Sequence, residues 1–430
     1  MFAPGERRFK IVRHVSNFIK TDFSRRWRNK HSCCFNAVET KQKDSCLLST
    51  VHQRRYYHHK PHLEASTVDF HIYSRSYLSS IANFPVSQCC RQYSTTQEDS
   101  PKSSSVSAQP HELVYEEMST LSSDIRKELF TEELQLRAMS HYYFDGKGKT
   151  FRPLVAFLMS KTCNIHNNLG DSISESQRIV AMVTEMIHTA SLVHDDVIDA
   201  SDTRRGQSSL NKLHGQRLPI LVGDFILSRA SIALARTRNT QVITLLSGVI
   251  EDLVNGEFMQ LGSKENENER FSHYLKKTYM KTASLIANVC KSVALLAQCE
   301  EEMVEKAYQY GRNLGIAFQL IDDLLDFVSC ESVMGKPTAA DLKLGLATAP
   351  VLFAAQEYPE LHPMIMRRFS GSGDVERARA LVAKSNGVEQ TRFLATQHSS
   401  EAIKNMQHFA TSDTQQALIR LATVLLERKH

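Results

Sequence analysis

Apolar residues recur every three or four positions in two long stretches of the chain. In residues 176–199 these positions are Ile179, Met182, Val183, Met186, Ala190, Val193 and Val197. In residues 303–328 they are Val304, Ala307, Tyr310, Leu314, Ala317, Leu320, Leu324 and Phe327. Because an α-helix completes a turn in 3.6 residues, each set lies on one side of a helix. The pattern predicts two long helices that pack against a core.

The rest of the body shows a similar rhythm, and strand-like alternation is hard to find. The interval between Pro219 and Pro337 contains no proline and is rich in residues that favour helices. Further helices are expected at residues 111–140, 151–164, 209–236, 240–262, 272–298, 341–356, 374–386, 388–408 and 413–427. Since no internal repeat is visible, one all-α domain over residues 111–430 is the simplest interpretation.

The positive charge of the chain is concentrated in its first hundred residues. Residues 1–100 contain 16 Lys and Arg against 8 Asp and Glu, although the whole chain carries only +5. The body that follows, residues 101–430, has a net charge of −3. We expect no nucleic-acid partner, because binding to a phosphate backbone needs a dense Lys and Arg surface.

The leader has the composition of a mitochondrial targeting sequence. Residues 1–60 hold 14 basic and 4 acidic residues and lack the uninterrupted apolar segment of a secretory signal. We predict a transit peptide over residues 1–93, cleavage near Ser94 after Arg91-Gln92-Tyr93, and a linker over residues 94–110. A disordered, solvated tail is the alternative interpretation of the same composition.

Neither a membrane span nor a zinc site is expected. Charged residues such as Asp224, Arg229 and Lys291 interrupt the longest apolar runs. Five of the nine cysteines lie in the leader. The other four have no metal-type spacing: Cys163, Cys290, Cys299 and Cys330. With 42% hydrophobic and 23% charged residues, the composition is that of a globular protein.

Two clusters of aspartates lie on the two most clearly predicted helices. They consist of Asp195, Asp196 and Asp199, and of Asp322, Asp323 and Asp326. Acids four residues apart share one helix face, so their charges repel unless a cation lies between them. A solvated acidic face is the common alternative, but such a face normally carries Lys partners, whereas Val, Ile and Leu border both clusters. Paired carboxylates suit Mg²⁺, which also binds water and substrate phosphates.

Positive side chains occur close to the first cluster and before the helix at residues 151–164. Arg204 and Arg205 follow the cluster directly, and Lys149 and Arg152 flank the start of that helix. Guanidinium groups bind phosphate oxygens bidentately, and Lys binds them as a point charge. Two polyanions could therefore be bound. A P-loop is not expected, because position 143 is Tyr where that motif needs Gly.

Two further polar residues share the helix faces of the aspartates. His188 lies seven and eleven residues before Asp195 and Asp199, so the three share one stripe. The sequence leaves open whether His188 is an enclosed core residue or contacts a phosphate. Gln319 lies on the stripe of Asp323 and Asp326. The two stripes could form opposite walls of a metal-filled cavity.

Five blocks of sequence together resemble the trans-isoprenyl diphosphate synthases. They are GKTFRP, LVHDDVIDASDTRRG, KTAS, QLIDDLLDF and GKPTAADLKLGLATAP, in this order. The resemblance covers residues 110–430 and is strongest to the long-chain mitochondrial members, which supply the ubiquinone tail. It implies the isoprenoid synthase fold, a helical bundle around a central cavity. It also implies Mg²⁺ as cofactor and condensation of an allylic diphosphate with successive isopentenyl diphosphates.

The resemblance also implies roles for individual residues. The allylic diphosphate and its Mg²⁺ would be held by Asp195, Asp196, Asp199 and Arg204. Isopentenyl diphosphate would be held by Lys149, Arg152, His188 and Arg205. The allylic side and the remaining metal sites would be completed by Lys281, Thr282, Gln319, Asp322, Asp323, Asp326 and Lys336. The residues expected to act directly in catalysis are Asp195, Asp199, Lys281, Asp322 and Asp326. One departure is Lys147, where the family usually has Gly.

Product length is expected to depend on the small residues just before the first cluster, Ala190 and Ser191. In the family, bulk at this place shortens the product, although close helix packing would also select small residues. Animal members are known as hetero-oligomers, so a second synthase subunit is an expected partner. A non-catalytic subunit and a terpene cyclase are the alternative functions. We expect location in the mitochondrial matrix, or at the inner-membrane surface because the product is apolar.

Overall fold

The fold is built almost entirely from helices, as the apolar pattern predicts. The computed structural model of the protein describes residues 109–146, 150–261, 267–328 and 339–428. The predicted transit peptide and cleavage site lie outside these residues, as do Lys149 and Lys336. The helices are α1 (Tyr115–Glu128), α2 (Leu134–His141), α3 (Phe151–His166), α4 (Glu175–Ile198), α5 (Leu210–His214), α6 (Arg217–Ala235), α7 (Thr240–Leu261), α8 (Glu267–Thr278), α9 (Ser284–Leu296), α10 (Glu301–Val328), α11 (Ala340–Lys343), α12 (Ala349–Glu357), α13 (Leu361–Met366), α14 (Asp374–Lys384), α15 (Gly387–Met406) and α16 (Asp413–Leu426).

Three predicted helices are broken in the structure. The segment 111–140 divides into α1 and α2, with Glu133 in an extended conformation before α2. The segment 209–236 divides at Gly215, whose φ of 74° ends α5. The segment 341–356 divides after α11, where Gly345 has a φ of 78° and Thr348 is extended before Pro350. Because positive φ costs glycine little, both glycines end a helix without strain.

The two apolar faces predicted first are confirmed as core faces of α4 and α10. All the predicted positions on them are buried except Val197 and Phe327. Helix α10 packs against α9 and α15, and α4 packs against α3 and α6. Tyr310, fully buried in the middle of α10, donates its hydroxyl to the Leu418 carbonyl at 2.9 Å. Both aspartate clusters therefore lie on helices whose other faces are fixed in the core.

Helix α6 is long and apolar enough to cross a membrane by length and composition. It has 19 residues and a mean hydropathy of 1.6. In the bundle it packs against α4 and buries Val222, Ile226, Ala230 and Ala233. Only 39% of its most apolar window is buried, and Leu221 and Ile232 are more than half exposed, so burial accounts for only part of its apolar composition.

The segment predicted as one helix at 272–298 contains a π-helical turn. The turn covers Tyr279–Ala283 and joins α8 to α9. Gly315 of α10 approaches it so closely that a Cβ there would lie 2.6 Å from the Ala283 Cα. Such π turns are rare and frequently occur at functional sites. This one carries Lys281 and Thr282.

Candidate active site

The first aspartate cluster occupies the C-terminal end of α4. The helix begins with a capping box between Ser174 and Gln177 and ends at Asp199, with no basic residue in its last turn. Helix C-termini carry partial negative charge, so carboxylates are unfavourable there without a compensating cation. Asp195 and Asp199 lie one turn apart, and the Asp199 amide donates to the Asp195 carbonyl at 2.8 Å. The arrangement concentrates negative charge at one point.

Asp196 is held by protein partners on both carboxylate oxygens. Arg204 donates from Nε and Nη2 to Oδ1 at 2.8 and 2.6 Å, and the Tyr143 hydroxyl donates to Oδ2 at 3.3 Å. Asp196 is 1% exposed. The structure thus places Asp196 behind the cluster, where it fixes Arg204. Its expected part in metal binding, and that of Arg204 in binding the allylic diphosphate, stay predictions.

Arg204 and Arg205 are presented by a short hairpin that the sequence did not predict. Strands β1 (Thr203–Arg204) and β2 (Gln207–Ser208) pair antiparallel around Arg205 and Gly206. These two turn residues have φ values of 53° and 77°. Positive φ at both central positions is the signature of a type I′ turn, which matches the twist of two strands. The turn directs Arg204 toward Asp196 and Arg205 toward Glu185.

Asp195 lies in an environment that disfavours its charge. Burial, together with Glu257 and Asp199, raises the pKa of Asp195 to about 6, against the opposing effect of Lys281 and Arg204. The pKa of Asp199 is also raised, mainly by burial and Glu257. Lys281 donates to Glu257 and, at 3.2 Å, to Gln260 Oε1. The π turn therefore brings Lys281 to the first cluster.

Glu257 is a site residue that the sequence analysis missed. It lies near the end of α7, which is otherwise largely apolar, and Gln260 follows it on the same face. The signal available was an acidic residue and an amide three positions apart on an apolar helix. That signal is weak without knowing that Lys281 lies opposite.

In the second cluster, Asp323 belongs to a buried hydrogen-bond chain. The Thr282 hydroxyl donates to Gln319 Oε1 at 2.9 Å, and Gln319 Nε2 donates to Asp323 Oδ1 at 2.7 Å. The Tyr274 hydroxyl donates to Asp323 Oδ2 at 2.5 Å. Burial raises the pKa of Asp323 to about 6, although both hydrogen bonds oppose the rise. The predicted stripe on α10 is thereby tied to the π turn.

The other two acids of this cluster have different surroundings. Asp326 accepts hydrogen bonds from the amides of Ala340 at 3.0 Å and Asp341 at 3.2 Å, so it caps the start of α11. Asp322 is half-exposed, and its Oδ1 lies 3.9 Å from Arg428 Nη2. The side chain of Asp322 is thus the most accessible of the three.

Asp341 is a further carboxylate that the sequence analysis did not assign. The cap provided by Asp326 brings it beside the second cluster. Burial, Asp323 and Asp326 raise the pKa of Asp341 to about 8, against the effect of Lys277. Burial and Lys281 lower the pKa of Lys277, whereas Asp323, Asp341 and Glu257 oppose this change. Lys277 therefore lies near the second cluster, and Lys281 lies near the first.

A partly buried cationic pocket lies beside the acids. Arg152 donates from Nη1 to His188 Nε2 at 2.9 Å, and Arg205 Nη2 lies 3.8 Å from Glu185 Oε1. Burial, then Arg152 and Arg205, hold the pKa of His188 well below its usual range, so the imidazole is neutral. Arg152 Nε is buried and has no hydrogen-bond partner among the described residues. An unsatisfied buried guanidinium N–H suits an anion.

The residues predicted to set product length have different surroundings. Ala190 is fully buried in the core, which fits close helix packing. Ser191 is partly exposed and donates its hydroxyl to the His188 carbonyl at 2.8 Å. Because Ser191 lies one turn before Asp195 on the same face, it is the better placed of the two to line a path for the product.

The donor set fits magnesium shared with a substrate. Among the described residues, no three His, Cys, Asp or Glu side chains could enclose a metal ion by themselves. Mg²⁺ commonly binds through one or two carboxylates, several waters and substrate phosphates. Asp195 with Asp199, and Asp322 with Asp341, supply oxygen ligands of that kind, and the proximity of the carboxylates within each pair is unfavourable without a cation.

We predict that Asp195→Asn stabilises the protein at alkaline pH. The pKa of Asp195 is about 6 in the folded state and 3.8 in the unfolded chain. Between these two pH values the folded state therefore binds more protons than the unfolded state. The carboxylate therefore lowers stability above pH 6, and this loss disappears as pH falls toward 4. In buffer with a chelator, the variant should have a Tm at least about 2 °C above that of the unsubstituted protein at pH 8. Thermal unfolding at pH 8 and 5 measures the gain, which should fall to about half at pH 5 because this pH still lies above the unfolded pKa; a gain equal at both would contradict it.

The sequence matches the polyprenyl synthetase family over residues 133–382. The all trans-polyprenyl-diphosphate synthase PDSS1 of Homo sapiens is 52% identical over 375 residues, which cover 87% of this chain and 90% of that protein. A probable mitochondrial hexaprenyl pyrophosphate synthase of Neurospora crassa is 43% identical, covering 74% and 81%. The decaprenyl-diphosphate synthase subunit 1 of Schizosaccharomyces pombe is 43% identical, covering 74% and 90%. The expected resemblance to long-chain mitochondrial members is confirmed.

Solved structures share the fold. A polyprenyl synthase of Caulobacter crescentus, crystallised with calcium and isoprenyl diphosphate, superposes with a TM-score of 0.68 at 29% identity. The match covers 77% of this chain and all of that one. The predicted isoprenoid synthase fold is thus confirmed. This chain therefore belongs to the polyprenyl synthetase family and is a trans-prenyltransferase that makes a long-chain polyprenyl diphosphate.

Proposed function

We propose that the two acidic clusters bind the allylic diphosphate through Mg²⁺ and that the cationic pocket binds isopentenyl diphosphate. The observation that carries the proposal is that one hairpin contacts both regions. Arg204 donates to Asp196 of the first cluster, and its neighbour Arg205 lies 3.8 Å from Glu185 of the pocket. Two substrates held there would lie next to each other, as condensation requires. Incubating the purified protein with Mg²⁺, a short allylic diphosphate and isopentenyl diphosphate, then measuring product length, tests the proposal.

The side chains would act by binding and by neutralising charge. Mg²⁺, when bound, supplies positive charge that stabilises the departing diphosphate. Lys281 lies beside Asp195, and it would contact the same diphosphate and add to this stabilisation at the transition state. Neutral His188 would orient isopentenyl diphosphate together with Arg152. We infer that the released pyrophosphate accepts the proton lost after condensation. Lys149 and Lys336, outside the described residues, are proposed to complete the two diphosphate sites.

Arg152→Ala is expected to raise the KM for isopentenyl diphosphate by about tenfold to a hundredfold. Charge-assisted hydrogen bonds contribute about 1.5–3 kcal/mol each, and Arg152 has Nε free among the described residues to make one. The KM for the allylic substrate should change little. Steady-state kinetics with each substrate varied in turn measures the effect. Arg178→Ala is the matched control, because Arg178 is bound to Thr120 and Asp124 away from the pocket; equal effects on both KM values would contradict the assignment.

We propose that the product is the ubiquinone side chain precursor and that activity depends on a second synthase subunit. The name of the fission-yeast relative, subunit 1, supports a hetero-oligomer for that protein. This chain retains both complete aspartate motifs, so it is the catalytic rather than a non-catalytic member. Expression alone and then with a candidate partner subunit tests the dependence: full activity of the chain alone would refute it.

We propose that the mature enzyme begins near Ser94 and works in the mitochondrial matrix. The basic leader supports import, and the Neurospora relative is named mitochondrial. An apolar product also favours association with the inner-membrane surface. N-terminal sequencing of the protein from isolated mitochondria tests the cleavage site, and an intact Met1 there would refute it. Carbonate extraction distinguishes matrix from membrane-surface protein.

A further inference from the structure

Lys281 reaches its partners by crossing α7 at a residue that has no side chain. Its Nζ donates to Glu257 and to Gln260, both on α7. Gly256 and Gln260 are one turn apart, so they lie on the same face of that helix. The aliphatic part of Lys281 passes over Gly256 before the ammonium reaches the two acceptors.

A side chain at position 256 would occupy the path of Lys281. A Cβ built on Gly256 would lie 2.7 Å from Lys281 Cγ, 3.2 Å from Met280 Cβ and 3.3 Å from Lys281 N. Gly256 is buried, and it is not among the glycines with positive φ. Its backbone conformation therefore does not require glycine, and helix propensity disfavours it. The contact with the Lys281 stem is the only one of the three below 3.0 Å, whereas the other two need shifts of only a few tenths of an ångström, so the stem is the main reason for glycine here.

We propose that Gly256 is a positioning residue for Lys281 in prenyl transfer. Only a residue without a Cβ lets Lys281 lie along α7 and reach Glu257 and Gln260. The inference rests on the role proposed above for Lys281. Relieving a contact of 2.7 Å requires the lysine stem to move by about 1 Å, and a misplacement of that size can cost about a hundredfold in rate.

The same helix offers a matched control. Gly248 lies two turns earlier on α7, and nothing lies within 4 Å of a Cβ built on it. Gly248→Ala therefore makes the same chemical change in the same helix without a neighbour to displace. Gly315 is less informative, because its Cβ would meet the Ala283 backbone and shift the whole turn.

A double-mutant cycle tests the proposal in the full-length chain with its partner subunit. Gly256→Ala should lower kcat at least about tenfold, whereas Gly248→Ala should leave kcat and Tm unchanged or raise Tm. Lys281→Ala should also lower kcat. Because Lys281→Ala removes the stem that the new Cβ meets, adding Gly256→Ala to it should change kcat by less than about threefold.

The outcomes separate the two proposals. If Gly256→Ala lowers kcat equally with and without Lys281→Ala, Gly256 does not act through Lys281, and the inference is wrong while the proposed function stands. Normal kcat in Lys281→Ala would overturn both. If Gly256→Ala fails to fold, the inference requires that the double variant regain the Tm of Lys281→Ala; continued misfolding would overturn it.

Discussion

Replacing Asp199 with alanine should lower turnover at least about a hundredfold. This loss corresponds to an activation barrier higher by about 2.7 kcal/mol. Asp199 stands at the C-terminal end of α4, where the helix dipole and Asp195 make its charge unfavourable without a cation. Asp199 would help to hold the proposed Mg²⁺, which would supply positive charge to the diphosphate that must leave. Loss of one ligand weakens the stabilisation of the negative charge that develops at the transition state. The fall in kcat should therefore be larger than the loss of substrate affinity.

The measurement is single-turnover kinetics with Mg²⁺ varied over a wide range. Asp202→Ala is the matched control, because Asp202 follows in the same loop but is 68% exposed and paired with Lys212. That variant should keep normal turnover. A near-normal rate in Asp199→Ala at low Mg²⁺ would refute the metal role of the first cluster. An equal loss in both variants would indicate a disturbed loop instead.

The second large effect is expected on product length. Phe at Ser191 or at Ala190 should shift the products to shorter chains, because bulk one turn behind Asp195 would block the growing chain. Ser191 is partly exposed, so Ser191→Phe should leave Tm nearly unchanged. Ala190 is enclosed in the core, so Ala190→Phe should also lower stability by about 1–3 kcal/mol through overpacking.

Chromatography of the dephosphorylated products measures chain length, and thermal unfolding measures stability. The rate of the first condensation with a short allylic primer serves as an internal control, since a block behind the first cluster should not affect it. An unchanged product distribution in Ser191→Phe would place the product path elsewhere. If only Ala190→Phe shortened the products, the path would pass on the buried side of α4.

The active-site acids show how far periodicity alone can define a site. Spacing along α4 predicted that Asp195 and Asp199 share a face, and the structure places them on one turn at the helix end. The supporting metal role of Asp196 came from the family resemblance and not from spacing, and it stays a prediction. In the structure its carboxylate accepts hydrogen bonds from Arg204 and Tyr143. Tyr143 is 53 residues away in sequence, so no local pattern could indicate that contact.

Glu257 and Asp341 escaped the sequence analysis for the same reason. Neither belongs to a cluster with the spacing of the two aspartate motifs, so each is indistinguishable from a solvated acid until its neighbours are known. Glu257 belongs to the site because it forms an ion pair with Lys281. Asp341 belongs to it because Asp326 caps α11 and brings Asp341 beside the second cluster. Glu185, buried beside Arg205, likewise counts as an ordinary helix residue until the hairpin is formed.

The sequence by itself determined the helical class, the core faces of α4 and α10, the two aspartate clusters and the cationic residues near them. It could do so because periodicity and charge are properties of single segments. The tertiary structure alone decided which acids remain accessible, that a π turn carries Lys281, and that Gly256 makes room for it. These features depend on which distant segments touch, and a helix carries no local record of the helix packed against it. The breaks at Gly215 and Gly345 lie between these cases: the residues were visible, but only the fold showed that they end a helix.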